Sequence, residues 1–290
     1  MPPSAFSTDD KSCSSFSPPS SSFLPLLLFH ALLLFRPIWD GVLSHLDLQH
    51  SFRVVLWDLM GAFSTPAASY DFQRYGSLCS HADDMLEVLE ELREQGKLGE
   101  LGDADSADDV VCVGHSVSGM VSLLASLERP SAFRRLLLLG SSPRYLNDPP
   151  TGYVGGFIPP DLDQIFLAVR ENYIAWVSGF APLMVGRDIS SPEVREFSET
   201  MLQVRPDIAL STLRTAFQSD FRHLLGRVSC PVTVLSTGVV AAVPVQVSEY
   251  LREAIPGACM ELLSTQGHLP HLTHPAVVAQ AIHRHASAPL

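Results

Sequence analysis

Residues 111–120 read Val-Cys-Val-Gly-His-Ser-Val-Ser-Gly-Met. The β-branched run Val110–Val113 predicts a buried strand, and the apolar spacing over Met120–Leu127 predicts a helix. Small residues on either side of Ser116 allow a sharp turn that leaves its hydroxyl at a corner of the chain. A strand, a Gly-x-Ser-x-small turn and a helix in this order are typical of a nucleophile elbow. The alternative is a buried turn without chemistry, and the flanking elements favour the elbow.

The residue after the serine contributes to the same chemistry. Val117 lies at the expected N-terminus of the helix, where amide groups have no acceptor within the helix. We therefore expect its N–H to donate to the oxyanion that develops during attack on an ester.

Composition limits the class of protein. The chain has 290 residues, of which 46% are hydrophobic and 17% charged, enough for an α/β domain with a sizeable core. Its net charge of −12 argues against nucleic acid as a partner. No H-E-x-x-H, phosphate-loop or dinucleotide-binding motif is present, so we expect no metal and no other cofactor. Five scattered cysteines predict reduced core thiols: Cys13, Cys79, Cys112, Cys230 and Cys259.

The N-terminal segment has a different composition from the rest. Residues 1–22 are rich in Ser and Pro and are expected to be a disordered tail. The apolar run Phe23–Phe35 spans 13 residues, whereas a membrane helix needs about 20. A signal peptide is the alternative, but the charged start and the small-x-small cleavage site are missing. We predict a core strand and no membrane segment.

Further along, strands and helices alternate, which is typical of a parallel sheet flanked by helices. The predicted strands and helices are Trp39–Leu46, Phe52–Asp58, Tyr75–Glu94, Phe133–Gly140, Pro231–Leu235, Val243–Ala254 and Cys259–Leu263. Between residues 149 and 226 the alternation stops, and three helices are predicted over Asp161–Phe180, Glu193–Val204 and Asp207–Gln218. This pattern predicts a helical lid inserted into a core formed by residues 23–148 and 227–290.

A histidine follows the last predicted strand. His268 comes directly after Gly267, downstream of Ser116, as expected for the general base of a serine hydrolase. A surface loop histidine is the alternative. His271 and His274 are predicted to lie at the surface.

Several motifs together resemble those of the RsbQ-like α/β-hydrolases, the plant strigolactone and karrikin receptors and their paralogues. They are Gly114–Ser118, Gly140–Asp148, Trp176–Pro182, Arg205–Leu210 and Gly267–His271, and the similarity runs from about Trp39 to Ile282. The resemblance implies an α/β-hydrolase fold with a four-helix lid and a pocket for a small apolar butenolide ligand, which a Ser-His-Asp triad hydrolyses slowly. It also implies recruitment of an F-box protein and a repressor target, in the cytoplasm or nucleus.

Position by position, the resemblance assigns roles to residues of this chain. Ser116 would be the nucleophile and His268 the base. The pocket would be lined by His115, Phe157, Trp176, Phe180 and Phe217.

The chain departs from the family at the triad acid. The corresponding position is Val240, and no carboxylate occurs between Asp220 and Glu249. Loss of the acid in a serine hydrolase lowers turnover by about 10⁴-fold. Asp148, after an earlier strand, is not expected to replace it.

A second departure lies near the N-terminus. The family has His-Gly-Phe-Gly where this chain has His30-Ala31-Leu32-Leu33. Leu32 would supply the second oxyanion N–H and replace a pocket Phe. Without the two glycines, which tolerate positive φ, we expect a misformed oxyanion hole.

Three hypotheses follow from these residues. The chain is a weak serine hydrolase of small esters or butenolide lactones, a non-catalytic receptor, or a degenerate product without a stable fold. We favour family-type ligand binding with impaired hydrolysis.

Overall fold

The computed structural model describes residues 24–29, 36–46, 52–62, 65–96, 110–238 and 242–288. The predicted tail, residues 1–22, lies outside these ranges. Six parallel strands form one sheet in the order β2-β1-β3-β4-β5-β6. They are β1 Leu24–Phe29, β2 Phe52–Trp57, β3 Val111–His115, β4 Arg135–Leu139, β5 Val232–Ser236 and β6 Cys259–Leu262. The predicted parallel α/β sheet is therefore confirmed.

Ten α-helices accompany the sheet within the described ranges. They are α1 Asp40–His45, α2 Leu78–Glu94, α3 Val117–Glu128, α4 Pro159–Glu171, α5 Tyr173–Val185, α6 Pro192–Leu202, α7 Pro206–Phe217, α8 Val245–Ala254, α9 Pro270–Thr273 and α10 Pro275–Ala286. None of these helices combines the length and the apolar character that a membrane crossing requires.

The two faces of the sheet are covered by different helices. Side chains of a strand point alternately to opposite faces. Val111 and Val113 accordingly pack with residues of α1, α10 and the lid, whereas Cys112 packs with residues of α2, α3 and α8. All five residues of β3 and of β4 are buried. Burial on both faces explains why these strands are continuous apolar runs rather than alternating ones.

Four helices, α4 to α7, lie between β4 and β5 as a lid. The single helix predicted over Asp161–Phe180 is wrong, because the chain breaks into two helices at Asn172. The backbone of Asn172 is extended, with φ −153° and ψ 85°, and its Oδ1 accepts a hydrogen bond of 3.0 Å from the amide of Ala175. Asn is a favoured N-cap residue, so this side chain begins α5.

Charged residues tie the two ends of the lid together. Arg222 contacts Asp148 at 2.9 Å and Asp220 at 2.8 Å, and Arg144 contacts Asp220 at 2.5 Å. Partial burial opposes ionisation of Asp220, but hydrogen bonds from Arg222 and Arg144 lower its pKa to about 2. The lid is thus anchored by a charged network beside β4.

The cysteine prediction is partly wrong. Cys112 and Cys230 are buried, but Cys79 lies on the exposed side of the first turn of α2 and Cys259 begins the edge strand β6. Cys13 lies outside the described residues.

β3 and α3 lie so close together at Gly114 that adding one methyl group there should strongly destabilise the fold. A Cβ at Gly114 would lie 2.5 Å from the Cα of Gly119, and backbone cannot move aside easily. We expect Gly114→Ala to lower the free energy of unfolding by about 3 kcal/mol, measured by urea denaturation. Gly179→Ala is the control, because its Cβ meets nothing within 4 Å and helical Gly is replaced favourably by Ala. Equal stabilities of the two variants would contradict this account of the turn.

Candidate active site

The nucleophile elbow forms as predicted at the end of β3. Ser116 has φ 54° and ψ −121°, and no other non-glycine residue of the described chain has a positive φ. Its amide donates to the carbonyl of Leu139 at 2.8 Å, which fixes the turn against β4. Val117 is the first residue of α3, where a backbone N–H has no acceptor within the helix. Its position matches that expected of an oxyanion donor.

His268 lies beside Ser116, although the two residues are 152 positions apart in the sequence. Its Nε2 lies 3.0 Å from the Oγ of Ser116, within hydrogen-bond distance. Gly267, with φ 82°, turns the chain so that His268 faces inward, and a Cβ at Gly267 would lie 2.3 Å from the carbonyl oxygen of Val185. The sequence-predicted nucleophile and base are therefore brought together.

The other ring nitrogen of His268 lacks the partner that a triad provides. Its Nδ1 is buried and has no hydrogen-bond partner among the residues that the structure describes. The position expected for the acid, Val240, lies outside those residues, and the whole segment 239–241 reads Val-Val-Ala, without a carboxylate. Asp148 is engaged elsewhere, with Oδ2 2.9 Å from Arg222 and 2.8 Å from the hydroxyl of Thr151.

Burial determines the charge of the base. Desolvation by burial lowers the pKa of His268 to about 4, and no carboxylate of the described residues offsets this effect. A neutral imidazole carries one proton, and the only partner shown for its ring is Ser116, at Nε2. This arrangement favours the proton on Nε2, the tautomer that is unable to accept the serine proton.

A small cavity of about 40 Å³ lies over the serine and histidine. Its wall consists of His115, Ser116, Val117, Tyr145, Met184, Phe197, Phe217, Ala242, His268 and Leu269. A buried water needs about 10–15 Å³, so this cavity has room for only a few. Met184, Phe197 and Phe217 come from lid helices, so the lid closes directly over Ser116.

Two of the five predicted pocket residues, His115 and Phe217, line this cavity. Phe157, Trp176 and Phe180 are not part of its wall. The ring of Phe157 lies 5.5 Å from that of Phe217, and Trp176 stacks on Phe180 at 4.5 Å. Their contact with a ligand stays a prediction. Leu32, the predicted second oxyanion donor, lies outside the described residues.

Tyr145 was missed by sequence reasoning, although it belongs to the motif Gly140–Asp148. Its hydroxyl lies 3.3 Å from the Oγ of Ser116, and its ring meets Phe217 edge-on at 4.9 Å. Burial raises the pKa of Tyr145 to about 12, so the hydroxyl stays neutral at physiological pH. Tyr145 is therefore a third polar group at the nucleophile.

The surface prediction for His271 is wrong. Its side chain is buried between the ring of Trp39, 4.4 Å away, and that of His115, 4.3 Å away. His271 lies on the short helix α9, which packs against α1. This packing encloses the imidazole ring of His271. His274 is half-buried beside Arg187.

A larger groove of about 610 Å³ lies elsewhere, between α7 and the start of α2. It contains neither Ser116 nor His268 and is open to solvent. Of these two cavities, only the smaller one is lined by Ser116 and His268, so it is the candidate site.

The parallel sheet, the strained serine and the histidine beside it match the arrangement that is typical of alpha/beta hydrolases. The chain belongs to the alpha/beta hydrolase family, whose family model matches residues 26–281. It is 42% identical over 261 residues to the karrikin insensitive 2 receptor CA of Petunia hybrida, covering 90% of each chain. It is 41% identical over 260 residues to the strigolactone esterase of Arabidopsis thaliana, covering 89% of this chain and 91% of that one. Among solved structures, a hydrolase from Oleispira antarctica matches with a TM-score of 0.80 and 27% identity over 93% of both chains.

The lowered pKa of His268 predicts an unusual pH profile. Only the neutral imidazole accepts a proton, so the rate of the first acyl transfer from an activated ester should rise through about pH 4 and then stay level from about pH 5 to pH 8. The measurement is the release of the leaving group, with Ser116→Ala subtracted as background. An inflection near the ordinary histidine value of about 6.5 would contradict the buried, uncompensated base.

Proposed function

We propose that this protein binds a small, mainly apolar ester or butenolide-type lactone over Ser116 and hydrolyses it slowly because its base lacks an acid. The main support for this proposal is the distance of 3.0 Å between the Oγ of Ser116 and Nε2 of His268. The Nδ1 of the same histidine is buried and has no hydrogen-bond partner among the described residues. Relatives of this chain include a karrikin receptor and a strigolactone esterase, which supports this ligand class.

The reaction follows from the positions of the groups. The Oγ of Ser116 attacks the carbonyl carbon of the ester or lactone. Its proton passes to Nε2 of His268 only in the less favoured tautomer, in which the imidazole proton lies on Nδ1 and Nε2 is free to accept. The N–H of Val117 donates to the oxyanion, and the C–O bond to the leaving alkoxide breaks as His268 returns the proton. Without a carboxylate at Nδ1, the imidazolium is an isolated buried charge, and its formation is the costly step.

Ligand binding is expected to move the lid. Met184, Phe197 and Phe217 close over a cavity of only about 40 Å³ beside Ser116, so we expect these side chains to shift when a lactone enters. Such a shift links occupancy of the site to the outer surface of the lid. By resemblance, that surface would recruit an F-box protein and a repressor target, in the cytoplasm or nucleus.

A second candidate is a receptor without turnover. The observation that favours it is the unpartnered Nδ1 together with Val240 at the acid position. A degenerate product without a stable fold would lack a cooperative melting transition, which the buried two-faced sheet predicts.

Restoring the acid tests whether the remaining catalytic groups are intact. Val240→Asp places a carboxylate at the position that the family uses, so it should raise the hydrolysis rate of an activated ester by about a hundredfold or more. Val240→Asn is the matched control, because it has the same shape without the charge. An unchanged rate in Val240→Asp would show that the defect lies in the oxyanion strand at His30–Leu33 instead.

Binding is tested separately from turnover in the Ser116→Ala variant. A butenolide lactone at about 100 times its Kd should stabilise the protein by about 2.7 kcal/mol, seen as a rise in Tm. The ring-opened hydroxy acid of the same lactone is the control, since the apolar cavity disfavours a carboxylate. The absence of a shift with any of a series of butenolides would contradict the proposed ligand class.

A further inference from the structure

Both peptide groups of His268 are held by hydrogen bonds. Its N–H donates to the carbonyl of Met184 in the last turn of α5, at 2.7 Å. Its own carbonyl oxygen lies 2.7 Å from Nε2 of His115. A carbonyl oxygen only accepts, so Nε2 of His115 carries a proton and donates it. The base is thus fixed from the lid on one side and from the elbow on the other.

His115 is itself rigidly placed. It is the last residue of β3, directly before Ser116, and it is completely buried. Its ring contacts the ring of His268 at 4.8 Å and that of His271 at 4.3 Å, and His271 stacks on Trp39. The donor nitrogen therefore has little freedom to leave the carbonyl of His268.

Gly140 lies beside both imidazoles at the end of β4. A Cβ at this position would lie 3.5 Å from Nδ1 of His268 and 4.0 Å from Nε2 of His115. The two imidazoles converge on one point of the sheet edge, at the glycine that follows the strand paired with β3.

We propose that His115 is a positioning residue for the base, and that its Nε2–H supplies part of the orientation that a triad acid supplies elsewhere. A carboxylate normally fixes the imidazole through Nδ1, and here the hydrogen bond to the His268 carbonyl fixes the backbone that carries the ring. The inference rests on the proposed use of Ser116 and His268 as nucleophile and base.

The test removes the N–H donor of His115 and its aromatic ring in two separate variants. His115→Phe keeps an aromatic ring against His271 without the donor, whereas His115→Gln keeps an N–H donor without the ring. The readout is the rate at which a fluorophosphonate labels Ser116, followed by intact mass. In this step the serine Oγ–P bond forms, the P–F bond breaks, fluoride leaves and the serine proton passes to His268.

His115→Phe should label about tenfold more slowly than the wild type, and His115→Gln within about threefold of it, because small displacements of a catalytic group are costly. Ser116→Ala gives the unlabelled baseline. Equal rates in the wild type and His115→Phe, or equal slowing in both variants, would overturn the proposal, the latter because it indicates a role in packing alone.

Hydrogen–deuterium exchange of the peptide 264–272 decides the question independently of reactivity. His115→Phe should exchange faster in this segment than the wild type, and His115→Gln should match the wild type. Unchanged protection in His115→Phe would refute the anchoring of His268. If the wild type labels no faster than Ser116→Ala, the proposed hydrolytic function fails, and exchange still decides whether His115 holds the loop.

Discussion

The hydrogen bond between Ser116 and His268 joins two loops that are 152 residues apart in sequence. Both loops lie at the carboxyl ends of parallel strands, and such ends share one edge of a sheet. The strained serine is kept in place because β3 and β4 run in register from Val111↔Arg135 to His115↔Leu139. The burial of both strands on both faces provides the stability that holds a residue at φ 54°.

Elements with a strong local signal were predictable from the sequence. The elbow, the parallel sheet, the lid and the pairing of Ser116 with His268 follow from short motifs and apolar runs. The break at Asn172 was missed because apolar spacing continues across it, although Asn is a common cap. The burial of His271 and the place of Tyr145 at the nucleophile depend on packing between distant segments, which a single sequence does not encode locally.

Among the described residues, no carboxylate lies at Nδ1 of His268, and the proposed chemistry depends on this feature. A serine hydrolase uses its acid for two tasks, orienting the histidine and stabilising its charge. The backbone of His268 is held by hydrogen bonds with the His115 side chain and the Met184 carbonyl, which address the first task, but no described group addresses the second. Since Met184 belongs to the lid, a ligand that displaces α5 also acts on the base. This is consistent with the proposed role, in which the site binds a ligand and turns it over slowly.

The most direct test of this account is proton NMR of the imidazole N–H groups in the uninhibited protein. The account predicts a His268 proton on Nε2 and no strongly deshielded Nδ1–H signal of the kind that a buried carboxylate partner produces. Val240→Asp should generate that signal and provides the reference. A deshielded Nδ1–H resonance in the wild type, lost in His268→Gln, would show that an acid already serves the base and would contradict the account.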